Sequence, residues 1–111
     1  MSAAEQLRGD PFDALGDANR RTIVELLRDG PLSVAEISRQ MPISQPAVSR
    51  HLRLLKDARL VTDRPAGARR LYCLSDEGAQ AVREYMRSVW GEAVARFQLA
   101  AENGPDATRR P

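Results

Sequence analysis

Apolar residues recur along this chain at two different spacings, and the change from one to the other divides it. From Val48 the apolar positions Val48, Leu52 and Leu55 follow i, i+4, i+7, the period of a helix with one face on a core. Pro46, Ser49, Arg50, Arg53 and Asp57 lie roughly opposite, with Gln45 and Lys56 at one margin. Upstream, Phe12 and Leu15 are spaced i, i+3 in a short helix that can start at Pro11, and Gly16 stops it. Asp17 then caps a helix to about Arg28, with Ile23, Val24, Leu26 and Leu27 as a broad stripe. Arg20 and Arg21, near its start, are expected at the surface. Asp29-Gly30-Pro31 ends it. After Arg59 the period shortens. Leu60-Val61-Thr62 and Arg69 to Leu74 read as strands around the turn residues Pro65-Ala66-Gly67-Ala68, which predicts a hairpin. From Ser75 the helical period returns, through Ala79, Val82, Met86, Val89, Ala93 and Phe97, widened by Tyr85, Trp90 and Val94.

The segment Ser33 to Tyr72 organises the rest. Ser33 and Glu36 have the spacing of a capping box, and Pro42 forbids continuation of the helix that they open. Ser44 is a second cap, and Pro46 falls in the first turn, where proline is tolerated. Two helices joined by so short a turn cross steeply, as in a helix-turn-helix, whose second helix enters the DNA major groove. The hairpin that follows is placed as a wing. The expected fold is therefore mainly α with one small β-hairpin: a winged helix-turn-helix of four helices, a two-stranded wing and a long C-terminal helix. Residues 1–102 read as one domain for DNA binding and dimerisation, and 103–111 as a disordered tail.

Charge sharpens the picture. The overall balance of +2 says little, but Ser44 to Tyr72 holds seven basic residues against two acidic ones, while the remainder holds 10 against 13. Positive charge is concentrated where a phosphate backbone would lie. A helix face of Gln45, Ser49, Arg50 and Arg53 suits base edges and phosphates, and Arg64, Arg69 and Arg70 on the wing suit phosphates or the minor groove. The last helix, roughly 35–40 Å long, is long for so small a core. Trp90 and Phe97 need a second surface, and a symmetric homodimer supplies one.

Other functions are disfavoured. One histidine (His51) and one cysteine (Cys73) leave no nucleophile–base pair, and there is no glycine-rich phosphate loop, so no enzyme is indicated. A single cysteine provides no internal disulfide and fits a reducing cytoplasm. No apolar run is long enough to span a membrane. Cys73 reads as a small packed residue. His51, between the core face and the surface, suits either a structural hydrogen bond or a phosphate contact.

Over nearly all of residues 11–101 the chain resembles the ArsR-type (ArsR/SmtB) winged-helix transcriptional regulators. The resemblance is carried by Phe12-Asp13-Ala14-Leu15-Gly16-Asp17-Ala18-Asn19-Arg20-Arg21, Gly30-Pro31-Leu32-Ser33-Val34, Ser44-Gln45-Pro46-Ala47-Val48-Ser49-Arg50-His51-Leu52, Leu60-Val61 and Gly67-Ala68-Arg69-Arg70-Leu71-Tyr72. It implies a repressor that occludes polymerase at a partly palindromic double-stranded operator, usually near its own gene. Ser44, Gln45, Pro46, Ser49 and Arg50 match the family's DNA-reading helix, with Arg53 beside them, and Arg69 and Arg70 match its wing. A homodimer built on the first and last helices would place Phe12, Leu15, Val82, Met86, Val89, Trp90, Ala93 and Phe97 at the interface. Relatives that sense metals carry cysteines in the first helix of the motif, or Asp and His pairs on the last helix. Here Val34 to Gln40 has neither Cys nor His, and the last helix has no His. The Phe12-Asp13-Ala14-Leu15 opening, Pro46 and the Trp90 region resemble a metal-free branch, which implies no metal and no cofactor and leaves a small-molecule effector unnamed. The competing reading is a winged-helix protein-interaction module without specific DNA binding.

Overall fold

The computed structural model describes residues 9–103. Its elements follow the sequence periods: α1 (Pro11–Leu15), α2 (Ala18–Leu26) with a 3-10 turn at Leu27–Asp29, α3 (Val34–Ser38), α4 (Gln45–Asp57), β1 (Val61–Ala66), β2 (Arg69–Leu74) and α5 (Asp76–Asn103). Residues 1–8 fall outside the described residues. So does the expected tail, save for Asn103, which closes α5. Two compact units are present, one ending at Ala81 and one beginning at Val82.

The helices α1 to α4 each start on a side-chain cap. Asp10 accepts from the Phe12 N–H, Asp17 from the N–H groups of Asn19 and Arg20, and Ser44 from that of Ala47. Ser33 and Glu36 form the full reciprocal box: Ser33 Oγ accepts from the Glu36 N–H, and Glu36 Oε1 from the Ser33 N–H at 2.8 Å. Between α3 and α4 the chain turns through Met41 to Ile43, and the Ser38 hydroxyl donates to the Ile43 carbonyl at 3.2 Å.

The core is drawn from the helices and the foot of the wing: Ile23, Ile37, Val48, Leu52, Leu55 and Val61 are at most 1% exposed. Burying each such side chain contributes about 1.5–3 kcal/mol, so the i, i+4, i+7 face of α4 alone fixes its rotation against α2 and α3. α4 ends in a Schellman motif. The Leu60 N–H bonds the Leu55 carbonyl and the Arg59 N–H that of Lys56, with Arg59 at φ 62°. That left-handed position is one that a non-glycine residue occupies at a cost.

The wing differs from its sequence reading at both ends. Leu60 lies outside β1, and Pro65 and Ala66 continue it, opposite Arg70 and Arg69. Proline is accommodated because a two-stranded ribbon has two edges and needs no N–H there. The turn is only Gly67-Ala68, with Gly67 at φ 66°. β2 also pairs with Leu32: the Leu32 N–H donates to the Tyr72 carbonyl at 3.0 Å and the Tyr72 N–H returns to Leu32 at 2.8 Å. This ties the entrance of α3 to the wing. The first turn of α5 is seated just as closely. The Gly78 N–H donates to the Arg59 carbonyl, and a Cβ on Gly78 would lie 2.7 Å from the Ala58 carbonyl oxygen. No side chain fits there.

Arg20 and Arg21 are not idle surface residues. Arg20 Nε donates to the Ala14 carbonyl at 2.7 Å, and Arg21 Nη1 to that of Leu15 at 2.8 Å. The short α1 leaves its last carbonyls without helical partners, and two cations complement that end. Arg20 Nη1 also lies 3.3 Å from His51 Nδ1, so a hydrogen bond joins α2 to α4. Of the two roles open to His51, the structural one is realised.

Candidate nucleic-acid interface

α4 exposes a row of side chains at one-turn spacing. Gln45, Ser49 and Arg53 follow i, i+4, i+8, with Arg50 beside them; all four are exposed. None of the four side chains bonds another described residue. Ser44 is partly committed, since its Oγ accepts the capping bond from the Ala47 N–H at 3.3 Å, leaving the hydroxyl proton to donate. Pro46 is exposed but has no donor, so it offers only apolar contact. The 13-residue helix is about 20 Å long and of a width that the B-DNA major groove admits.

The three wing arginines are not equivalent, which the sequence did not reveal. Arg64, on β1, is exposed and makes no bond to another described side chain. Arg70 Nε donates to Asp63 Oδ2 at 2.7 Å, and Arg69 Nη1 lies 3.5 Å from Glu36 Oε1 on α3. Asp63 also receives Lys56 Nζ from the end of α4, at 2.8 Å. Arg69 and Arg70 remain more than half exposed, so their outer nitrogens stay accessible. With Arg39, Ala68, Tyr72 and the start of α3 they line a cleft of about 390 Å³ between α3 and the turn end of the wing.

What reasoning from sequence missed is the pairing of Asp63 with Lys56 and Arg70, and of Glu36, beyond its capping role, with Arg69. The available signal was two acids inside or beside the most basic stretch of the chain. Each carboxyl is held below its ordinary value. Lys56 and then Arg70 do this at Asp63; the Ser33 N–H and hydroxyl, aided by Arg69, do it at Glu36. At Asp17 the main cause is the Arg20 N–H. A lowered folded value stabilises the fold above the ordinary one, 3.8 for Asp and 4.5 for Glu, and the contribution is lost as pH falls through the lowered value. The urea midpoint should therefore hold from about pH 7 to 5.5 and drop by about pH 3. Asp63→Asn should flatten part of that drop, and an undiminished drop in the variant would contradict the assignment.

Cys73 is half-buried, with Sγ 3.4 Å from the Thr62 hydroxyl across the ribbon. His51 and Cys73 lie on α4 and β2. Among the described residues, no three His, Cys, Asp or Glu side chains come together as a metal site. No described helix is long and apolar enough to cross a membrane.

Beyond Val82, α5 has a different surface. Trp90 is 53% exposed and Phe97 80%, and with Ala93 and Gln98 they line an apolar hollow of about 320 Å³. Met86 and Val89 are exposed beside them, and Val82 is half-buried. The side chain of Val94 lies outside those described. On α1, Phe12 is 42% exposed, whereas Leu15 packs partly against the core.

This architecture has close relatives. Residues 17–63 match the family described as bacterial regulatory protein, arsR family. The HTH-type transcriptional regulator Rv2034 of Mycobacterium tuberculosis is 49% identical over 96 residues, covering 86% of this chain and 90% of that protein. The chain belongs to the arsR family. The transcriptional repressor SdpR of Bacillus subtilis is 36% identical over 58% of this chain and 71% of that one. A solved structure titled as a possible transcriptional regulator for arsenical resistance superposes with a TM-score of 0.69 at 33% identity, covering 81% of this chain and 94% of the other. As an arsR-type winged-helix protein, the chain is a DNA-binding transcriptional regulator and not an enzyme.

Proposed function

We propose that this regulator is a homodimeric, sequence-specific repressor that reads a partly palindromic operator near its own gene, in the cytoplasm, without the metal sites known in its family. The observation that carries the reading is the exposed row Gln45, Ser49, Arg50 and Arg53 on α4, unengaged among the described residues, together with the exposed Arg64 of β1. Gln45 suits adenine and Arg50 suits guanine, while Arg53 and Arg64 suit phosphate. Arg69 and Arg70 contribute through the parts of their guanidinium groups not turned to Glu36 and Asp63. Dimerisation through α5 and α1 would cover Met86, Val89, Trp90, Phe97 and Phe12, and would seat a partner side chain in the Trp90–Phe97 hollow. Thiolate sensing of a soft metal needs several cysteines per site, and the chain has one.

The test is binding to the DNA upstream of its own gene against random duplex of equal length, across salt. Four phosphate-neutralising arginines per protomer (Arg53, Arg64, Arg69 and Arg70), eight per dimer, give a loss of about 10⁴ in affinity between roughly 50 and 200 mM salt. Preference for the upstream fragment should survive that loss. Equal affinity for both fragments would remove specific recognition and favour the protein-interaction module.

A further inference from the structure

Asp63 is an acid at the centre of the most basic segment, on a surface meant to approach phosphates. Its side chain is only 7% exposed, and both oxygens are occupied, Oδ1 by Lys56 of α4 and Oδ2 by Arg70 of β2. The two cations come from different elements and are each about half exposed. The carboxylate thus bridges the end of the recognition helix to the far strand of the wing, reached diagonally across the ribbon, since Asp63 itself pairs with Tyr72. Arg69 on Glu36 adds a looser tie from the wing to α3.

We propose that Asp63 is a positioning residue for DNA binding: it fixes the wing relative to the recognition helix, so that contacts from α4 and from the wing are made in register. This rests on the DNA-binding reading above. Charge and geometry make opposite demands at this position. Removing a negative charge beside phosphates strengthens attraction to any duplex. Removing the bridge releases the wing, and a contact misplaced by a fraction of an ångström loses its directional bond. An asparagine retains one acceptor but cannot hold two cations. Lys56 and Arg70 stay solvated when it is introduced, so no buried charge is stranded and the fold has no reason to fail.

The experiment uses the full chain, the duplex that the wild-type protein enriches from a random pool, and a random duplex of equal length. Asp63→Asn is expected to bind random duplex as well as wild type or better, while its preference for the enriched duplex falls by about fivefold or more. Amides of β2 should exchange faster in the free variant. Arg70→Gln should also lower the preference, and the double variant should lose no more than the larger single loss, because both changes cut one bridge. A preference kept or raised in Asp63→Asn, with β2 exchange unchanged, would overturn the proposal, as would additive losses in the double variant. If the wild-type protein enriches no duplex, the DNA reading itself falls. The exchange comparison then decides alone: faster β2 exchange in Asp63→Asn supports the bridge, and unchanged exchange refutes it.

Discussion

Replacing Trp90 and Phe97 together by glutamate is expected to give a folded monomer that no longer holds operator tightly. The buried core among the described residues runs from Ala14 to Val61 and includes neither side chain, so the first unit keeps its packing. Each aromatic ring is more than half exposed, and an apolar surface of that size is ordinarily covered by a partner. Like charges meeting their own copies across a two-fold axis repel. Two linked half-site contacts exceed one by a factor of about 10²–10⁴, so operator affinity should fall at least about a hundredfold, with sedimentation reporting a monomer. A variant that remains dimeric and binds normally would move the interface elsewhere.

Arg50→Ala and Arg64→Ala are expected to fail in different ways. Arg50 lies on the exposed face of α4 proposed to read bases, next to the row formed by Gln45, Ser49 and Arg53. Its loss should cost about 1–3 kcal/mol on operator, relax the preference at one base position and spare random DNA. Arg64 is the wing arginine without a partner among the described residues, so its guanidinium is the one offered to phosphate here. Its loss should weaken operator and random duplex alike and reduce the salt slope by about 1. Equal losses on both duplexes from both variants would erase the division between reading and holding. The sequence alone offered Arg64, Arg69 and Arg70 alike for the second role, but the Asp63 bridge makes Arg70 part of the wing's attachment, so Arg64 is the cleaner probe.

What the sequence disclosed follows from which forces are local. The capping box at Ser33 and Glu36, the Pro46 start of α4 and its Val48-Leu52-Leu55 face depend on spacings of a few residues, and they were legible. The wing's existence was legible from Gly67, but its length was not. Pro65 looks like a breaker until a free ribbon edge relieves it of donating. The contacts that join elements were hidden. Arg20 reaching Ala14 and His51, Leu32 pairing with Tyr72, and Asp63 binding Lys56 and Arg70 all require the tertiary arrangement before any pairing becomes visible. The candidate interface was proposed from residue types and their spacing alone. Which of its cations are already engaged was a matter for the structure.

One measurement bears most directly on sequence-specific binding by a dimer: a hydroxyl-radical footprint of the protein on the duplex that it enriches from a random pool. Two protected half-sites on one face of the helix, about 10–10.5 bp apart centre to centre and related by a palindrome, are the expected result. Uniform protection without boundaries, or a single half-site from a protein that is dimeric in solution, would contradict it.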